Sequence, residues 1–217
     1  GSQSKTENIT IILSTAALAL FMIKINQFKI AEELLNHIDS LNDNDSILRL
    51  TSFLRNKILY TKGDFQSLIN SISPNVLSFP RTKINTGKFT FLSFDYEVET
   101  LKLLAKSSFL IQMHQQFLFW SEMICLVSLN HLFSLNELGK GLILRANALI
   151  NQKVGSSIQY QLSDAELSIG NFVKNGNTTF TKEFIINEAL SSLSMAKICF
   201  DKVGNTSNHL NSMLLFC

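Results

Sequence analysis

Thr61-Lys62-Gly63-Asp64-Phe65-Gln66-Ser67-Leu68-Ile69 interrupts one helical pattern and starts another within a few residues. The run before it, 46–60, carries Ile47, Leu50, Phe53 and Leu54 at spacings of three and four, which places them on one helix face. Lys62-Gly63 ends that run, because glycine takes up the left-handed conformation that closes a helix without a Cβ clash. Asp64 can cap a second helix whose apolar positions are Phe65, Leu68, Ile69 and Ile72. The earlier segment Ile25-Asn26-Gln27-Phe28-Lys29-Ile30-Ala31-Glu32-Glu33-Leu34-Leu35 has the same grammar: a polar turn, an aromatic, and a small residue three positions on. Phe28 and Phe65 lie 37 residues apart, a spacing at which helical repeats occur. Phe117 follows as the third aromatic of the series.

These helix pairs resemble the tetratricopeptide-repeat family, whose unit is about 34 residues long. In the first pair Ala19 and Ala31 occupy the small-residue slots where the two helices touch, while Leu18, Met22, Phe28, Leu35 and Ile38 fill the large ones. In the second pair the small slots hold Asn56 and Leu68, and neither pair has the family's closing proline. The resemblance implies an all-α fold, an α-solenoid of antiparallel helix pairs in which each pair hides its apolar side against the next. The expected pairs span about 6–41, 46–72, 95–130, 136–173 and 181–217. An irregular loop over 73–94 is inserted, and the whole forms a single helical-repeat domain over 1–217. Residues 207–217 open a further helical pattern, so a longer array is expected.

The first helix, expected over 6–25, has no charge between Asn8 and Ile23, and its apolar residues point in nearly every direction. A membrane span needs about 20 such residues. This run is short and includes Thr10, Ser14 and Thr15, so a helix buried on most sides is expected instead of a membrane helix. Its outer side then needs a cover: more of a longer chain, a partner, or a second copy through self-association of 9–23.

The loop 73–94 holds Pro74, Pro80 and the turn signal Asn85-Thr86-Gly87-Lys88. Its Arg81, Lys83 and Lys88 alternate with Phe79, Phe89, Phe91 and Phe94, but a loop pinned by its phenylalanines accounts for them better than a nucleic-acid surface. Asp95 is expected to cap the next helix, and Phe117 to lie early in its partner after His114-Gln115-Gln116. Further on, Glu137 to Gln152 carries Leu138, Leu142, Arg145, Ala146 and Leu149 at helical spacing. Thr181 is a good cap for a long helix with Ala189 and Ala196 on its inner face, ending at Val203-Gly204-Asn205.

The 217 residues include 46% hydrophobic and 17% charged residues, and the net charge is +2. So small a charge creates no long-range field to draw nucleic acid or an anionic membrane, and neither is an expected partner. The three cysteines, Cys125, Cys199 and Cys217, are widely spaced, and two sit in apolar helical runs. That fits a reducing intracellular compartment, here the cytoplasm.

Residues suited to chemistry are scattered. His37, His114, His131 and His209 form no His-x-x-x-His pair, so no metal site and no cofactor are expected. The carboxylate pairs Glu32-Glu33 and Glu97 with Glu99 lie on solvated faces or in first turns, not in the apolar segments that acid-base catalysis by a carboxyl calls for. Gly139-Lys140-Gly141 lacks the spacing of a phosphate loop, and no catalytic residue is nominated.

In proteins of this resemblance, the first helix of each pair lines a concave groove that holds a segment of a partner. Helical phase points Lys57, Tyr60, Lys102, Gln112, Lys140, Asn147 and Asn151 into such a groove, with Tyr60 and Phe109 as apolar anchors. The implied function is a protein-protein interaction scaffold, not an enzyme, within a larger complex. The competing expectation is a small all-α enzyme or ligand carrier with an enclosed apolar pocket.

Overall fold

The computed structural model describes residues 2–41, 45–76, 92–129, 134–157 and 179–205. Among the described residues there are eight α-helices and no strand, only an isolated antiparallel bridge between Ser157 and Thr179. The chain divides into two compact units, Gly1–Leu103 and Leu104–Cys217.

The first unit contains α1 (Ser2–Lys24), α2 (Phe28–Leu41), α3 (Asp45–Lys62), α4 (Phe65–Val76) and the front of α5 (Leu92–Leu110). α1 packs on α2 and α3, α2 packs on α3, and α3 packs on α4. The core takes Ile12, Ala16, Ala19 and Ile23 from α1, Ala31, Leu35 and Ile38 from α2, and Leu50, Phe53, Leu54 and Ile58 from α3. The three- and four-residue spacing of each set forms one stripe per helix. The alanines are small enough to let the helices approach closely. Tyr96 closes on this core, its ring centroid 5.5 Å from that of Phe53. At the rim Arg55 of α3 reaches back to α2, donating to Asn36 Oδ1 at 2.9 Å and pairing with Asp39 at 2.7 Å and Glu32 at 3.6 Å.

The second unit holds the rear of α5, α6 (His114–Val127), α7 (Leu135–Ile150) and α8 (Lys182–Val203). α7 lies against both α6 and α8. Two glycines of α7 permit this. A Cβ on Gly139 would stand 2.6 Å from Phe200 Cζ, and one on Gly141 would stand 2.9 Å from Ile124 Cγ2 and 3.0 Å from Cys125 Sγ. α6 is buried from Phe117 to Val127 except at Phe119, which accounts for its almost unbroken apolar sequence. Before α8, Phe180 is fully buried, its N–H donating to Ser156 O at 2.8 Å and its carbonyl accepting from Gly155 N at 2.9 Å.

Three of the connections are the same joint. At Asn26, Gly63 and Gln112 the backbone is left-handed, with φ of 60°, 78° and 60°. At each, the left-handed residue's N–H donates three residues back: Asn26 to Ile23, Gly63 to Tyr60, Gln112 to Phe109. The next N–H donates five back: Gln27 to Met22 at 2.8 Å, Asp64 to Leu59 at 3.0 Å, Met113 to Ser108 at 2.8 Å. This pair of bonds is the Schellman closure, and the residue that completes it also begins the following helix. Gly204, at φ 68°, closes α8 in the same way, with Asn205 N donating to Phe200 O at 3.0 Å. The expected caps are in place as well: Asp64 Oδ1 accepts from Ser67 N at 3.2 Å and Thr181 Oγ1 from Phe184 N at 3.1 Å.

The joints correct several expectations. α6 starts at His114, not at Phe117, because Met113 has already closed α5. Aligned on the joints, His114 matches Phe28 and Phe65, while the buried Phe117 matches Ala31 and Leu68. α4 continues through Pro74 to Val76, since proline in a last turn forfeits one hydrogen bond without disturbing the helical φ, and α5 begins at Leu92 instead of Asp95. The rest of the expected loop, 77–91, lies outside the described residues, as do 158–178 and 206–217. α1 buries a single stripe: Leu18, expected inside, is 45% exposed, and Ile9, Ile11, Leu13 and Phe21 are also open. Among the described residues no helix is long and apolar enough to cross a membrane.

Candidate functional site

The residues nominated for a groove fall in both units. In the first, Lys57 is half-buried with its ammonium 5.7 Å from the centroid of the Phe53 ring, and Tyr60, one turn on, sets its ring 5.5 Å from that of Phe65. Lys102 is drawn down onto its own helix, 2.6 Å from Glu99. In the second unit Phe109 is exposed yet rests on Phe117, with ring centroids 5.3 Å apart. Gln112 is exposed at the left-handed joint between α5 and α6.

Three nominated residues do share a face. Lys140, Asn147 and Asn151 follow each other at spacings of seven and four along α7 and its C-cap, which puts them within one narrow stripe. All three remain at least partly open, while Leu138, Leu142, Arg145, Ala146 and Leu149 on the far side are buried. Ser134 caps this helix, accepting from Glu137 N at 3.3 Å, and Glu137 in turn holds Lys140 at 2.7 Å. Asn151 Nδ2 donates to Asn147 O at 2.7 Å, so its side-chain oxygen points away from the helix end with acceptor capacity to spare.

Beneath that stripe is a buried ionic cluster. Arg145 Nε donates to Glu122 Oε1 at 3.1 Å, its Nη2 to Glu188 Oε2 at 2.8 Å and its Nη1 to Ser192 Oγ at 2.6 Å. Ser192 Oγ passes the chain on to Glu188 O at 2.8 Å. Glu122 is fully buried and Arg145 nearly so. Burial works against the guanidinium charge, but the Glu122 carboxylate and then the Glu188 hydrogen bond outweigh it, holding Arg145 more firmly protonated than usual. Cys125 lies beside this cluster, where burial pushes its thiol well above the ordinary range despite the opposing pull of Arg145. Burial also raises Cys199, and both are free thiols. A thiol kept protonated is a poor nucleophile. The cluster ties α6, α7 and α8 into one register.

Sequence reasoning took Arg145 only as a packing position and passed over Glu122, Glu188 and Ser192. The signal was present: Glu122 is the lone charge in an apolar stretch, Phe117 to Val127, and a charge there needs a partner of opposite sign.

Other candidate groups are separate. His37 is exposed, and His114 Nδ1 is buried without a hydrogen-bond partner in the described structure, while His131 and His209 lie outside it. Among the described residues no three His, Cys, Asp or Glu side chains gather as metal ligands would. Comparison with protein-family models, with curated proteins and with solved structures finds no match.

Proposed function

We propose that the chain is a protein-protein interaction module, an α-solenoid of antiparallel helix pairs akin to tetratricopeptide repeats, serving as a subunit of a larger intracellular complex. The repeated joint supports the repeat reading. Three helix-to-helix connections with one hydrogen-bond scheme, at 26, 63 and 112, are what a chain built from copies of a single helix pair would have. The observation that carries the binding reading is the stripe Lys140, Asn147 and Asn151. α7 is wedged between two helices and stitched beneath by a buried arginine, yet it keeps one polar ridge open. Carboxamides and an ammonium on a rigid helix suit the amides and carboxylates of an extended partner segment. Lys57 and Tyr60 offer the first unit a second, mixed apolar and basic contact, while Lys102 is largely buried against Glu99.

The test is capture of partners by the full chain in parallel with a Lys140→Glu, Asn147→Ala, Asn151→Ala variant and a Lys57→Glu, Lys102→Glu variant. Circular dichroism would verify that each variant is folded. Proteins held by the wild type and lost with the α7 variant would support the ridge. An unchanged captured set for both variants would sink the groove reading.

A further inference from the structure

We propose that the outward face of α1 is a self-association surface, on which two copies of this chain pack α1 against α1 in antiparallel fashion about a two-fold axis between Ser14 and Ala17. The face lies opposite the stripe Ile12, Ala16, Ala19 and Ile23 that α1 buries in its own unit. It presents Ile11, Leu13, Leu18, Phe21 and, just past the helix, Ile25, each about half exposed. Half of five large side chains is on the order of 500 Å² of apolar surface, well over half of the roughly 800 Å² per partner of a standard interface. A contiguous patch of that size matches the largest found on typical monomers, and such patches are often functional.

The centre of the face suits close helix packing. Thr10, Ser14 and Ala17 run down its middle, all exposed, with bulkier side chains on either flank. Small residues in such a line let two helices approach to about 8 Å. The one hydroxyl nearest the axis is already satisfied, since Ser14 Oγ donates to Thr10 O at 2.8 Å. It can therefore enter a dry interface without losing a hydrogen bond.

Two features single out a second copy as the occupant. The face carries no charge from Asn8 to Ile23, so a charged partner finds nothing to grip. About the proposed axis, Leu13 meets Leu18, Ser14 meets Ala17, and Thr10 meets Phe21 of the other copy. The same register sets Lys24 against position 7, a glutamate in the sequence, at both ends. A surface with apolar halves that match and unlike charges at its two ends is complementary to itself, as an isologous dimer requires. No residue is shared with the α7 ridge, so this inference stands or falls separately from the partner-binding reading.

Sedimentation analysis of the full chain would decide it. The wild type is expected to dimerise at micromolar concentration, and Leu18→Glu to be monomeric with an unchanged helical spectrum and melting temperature, because Leu18 contributes little to its own core. Lys24→Glu should weaken the dimer about three- to fivefold, and adding Glu7→Lys should restore it, the size of effect expected of exposed ion pairs. A wild type still monomeric at about 100 µM, a range in which even weak specific dimers form, would overturn the proposal. So would a dimer indifferent to Leu18→Glu. A monomer that floats with neutral lipid vesicles would assign the face to a lipid surface instead and would equally overturn it.

Discussion

Arg145 illustrates how much can hang on one side chain. Its Nε donates to Glu122 Oε1 at 3.1 Å, and Glu122 has no access to water. Arg145→Leu should therefore cost about 3–5 kcal/mol, the penalty for stranding a buried carboxylate, measured as a fall in the denaturant midpoint. Combining it with Glu122→Leu should recover much of that loss, because the one fully buried carboxylate then goes with its partner, while Glu188 keeps some access to water. Gln112 makes the opposite case. It bears a Cβ at φ 60°, where its counterpart Gly63 bears none, and it is exposed. Gln112→Gly should stabilise the chain by about 0.5–1 kcal/mol, seen as a higher melting temperature, since strain relieved in the left-handed region exceeds the extra freedom glycine gains on unfolding.

At the scale of the element, each helix is bounded by chemistry local to a few residues. Asp64 both completes the closure of α3 and caps α4, so Asp64→Ala should remove about 1 kcal/mol by chemical denaturation, and Thr181→Ala at the start of α8 about as much. Packing between elements follows another rule. Gly139 sits where a Cβ would enter the ring of Phe200, and Gly141 where it would meet Ile124 and the backbone of Cys125. Phe200 is fully buried and can shift only by displacing its neighbours. Gly139→Ala should thus destabilise by roughly 1–3 kcal/mol, although alanine is the better helix former.

For the molecule as a whole, the buried thiols set a limit at alkaline pH. Cys125, and less strongly Cys199, is held protonated in the fold to a pH at which the unfolded chain would have ionised it. Above about pH 9, the unfolded state gains free energy by releasing these protons while the native state cannot. Stability should therefore fall as pH rises, by up to about 1.4 kcal/mol per pH unit for each thiol. Below that pH the contribution is fully present. Denaturant melts from pH 8 to 10.5 should show a shallower decline for Cys125→Ala than for the wild type, whatever offset its small cavity adds.

Much of the helical content was legible because its signals are short-range. Gly63, Asp64, Thr181 and Gly204 act within five residues of themselves, and each ended or began a helix where its chemistry says it should. The start of α6 was misread by one turn because Gln112, a residue that seldom adopts positive φ, made the joint that glycine makes elsewhere. The site was less legible than the fold. Lys140, Asn147 and Asn151 could be placed on one face by helical phase alone, but the Glu122, Arg145 and Glu188 cluster joins positions on three helices.

The sequence by itself determined that this protein is helical, where most of its helices stop, and which stripe of α2, α7 and α8 is apolar, because capping, left-handed closure and periodicity depend only on near neighbours. Only the tertiary structure decided which side of the evenly apolar α1 would be buried, and which cation would answer Glu122. Those choices are made by burial and electrostatics between elements distant in the chain, where free energy depends on what lies across the contact.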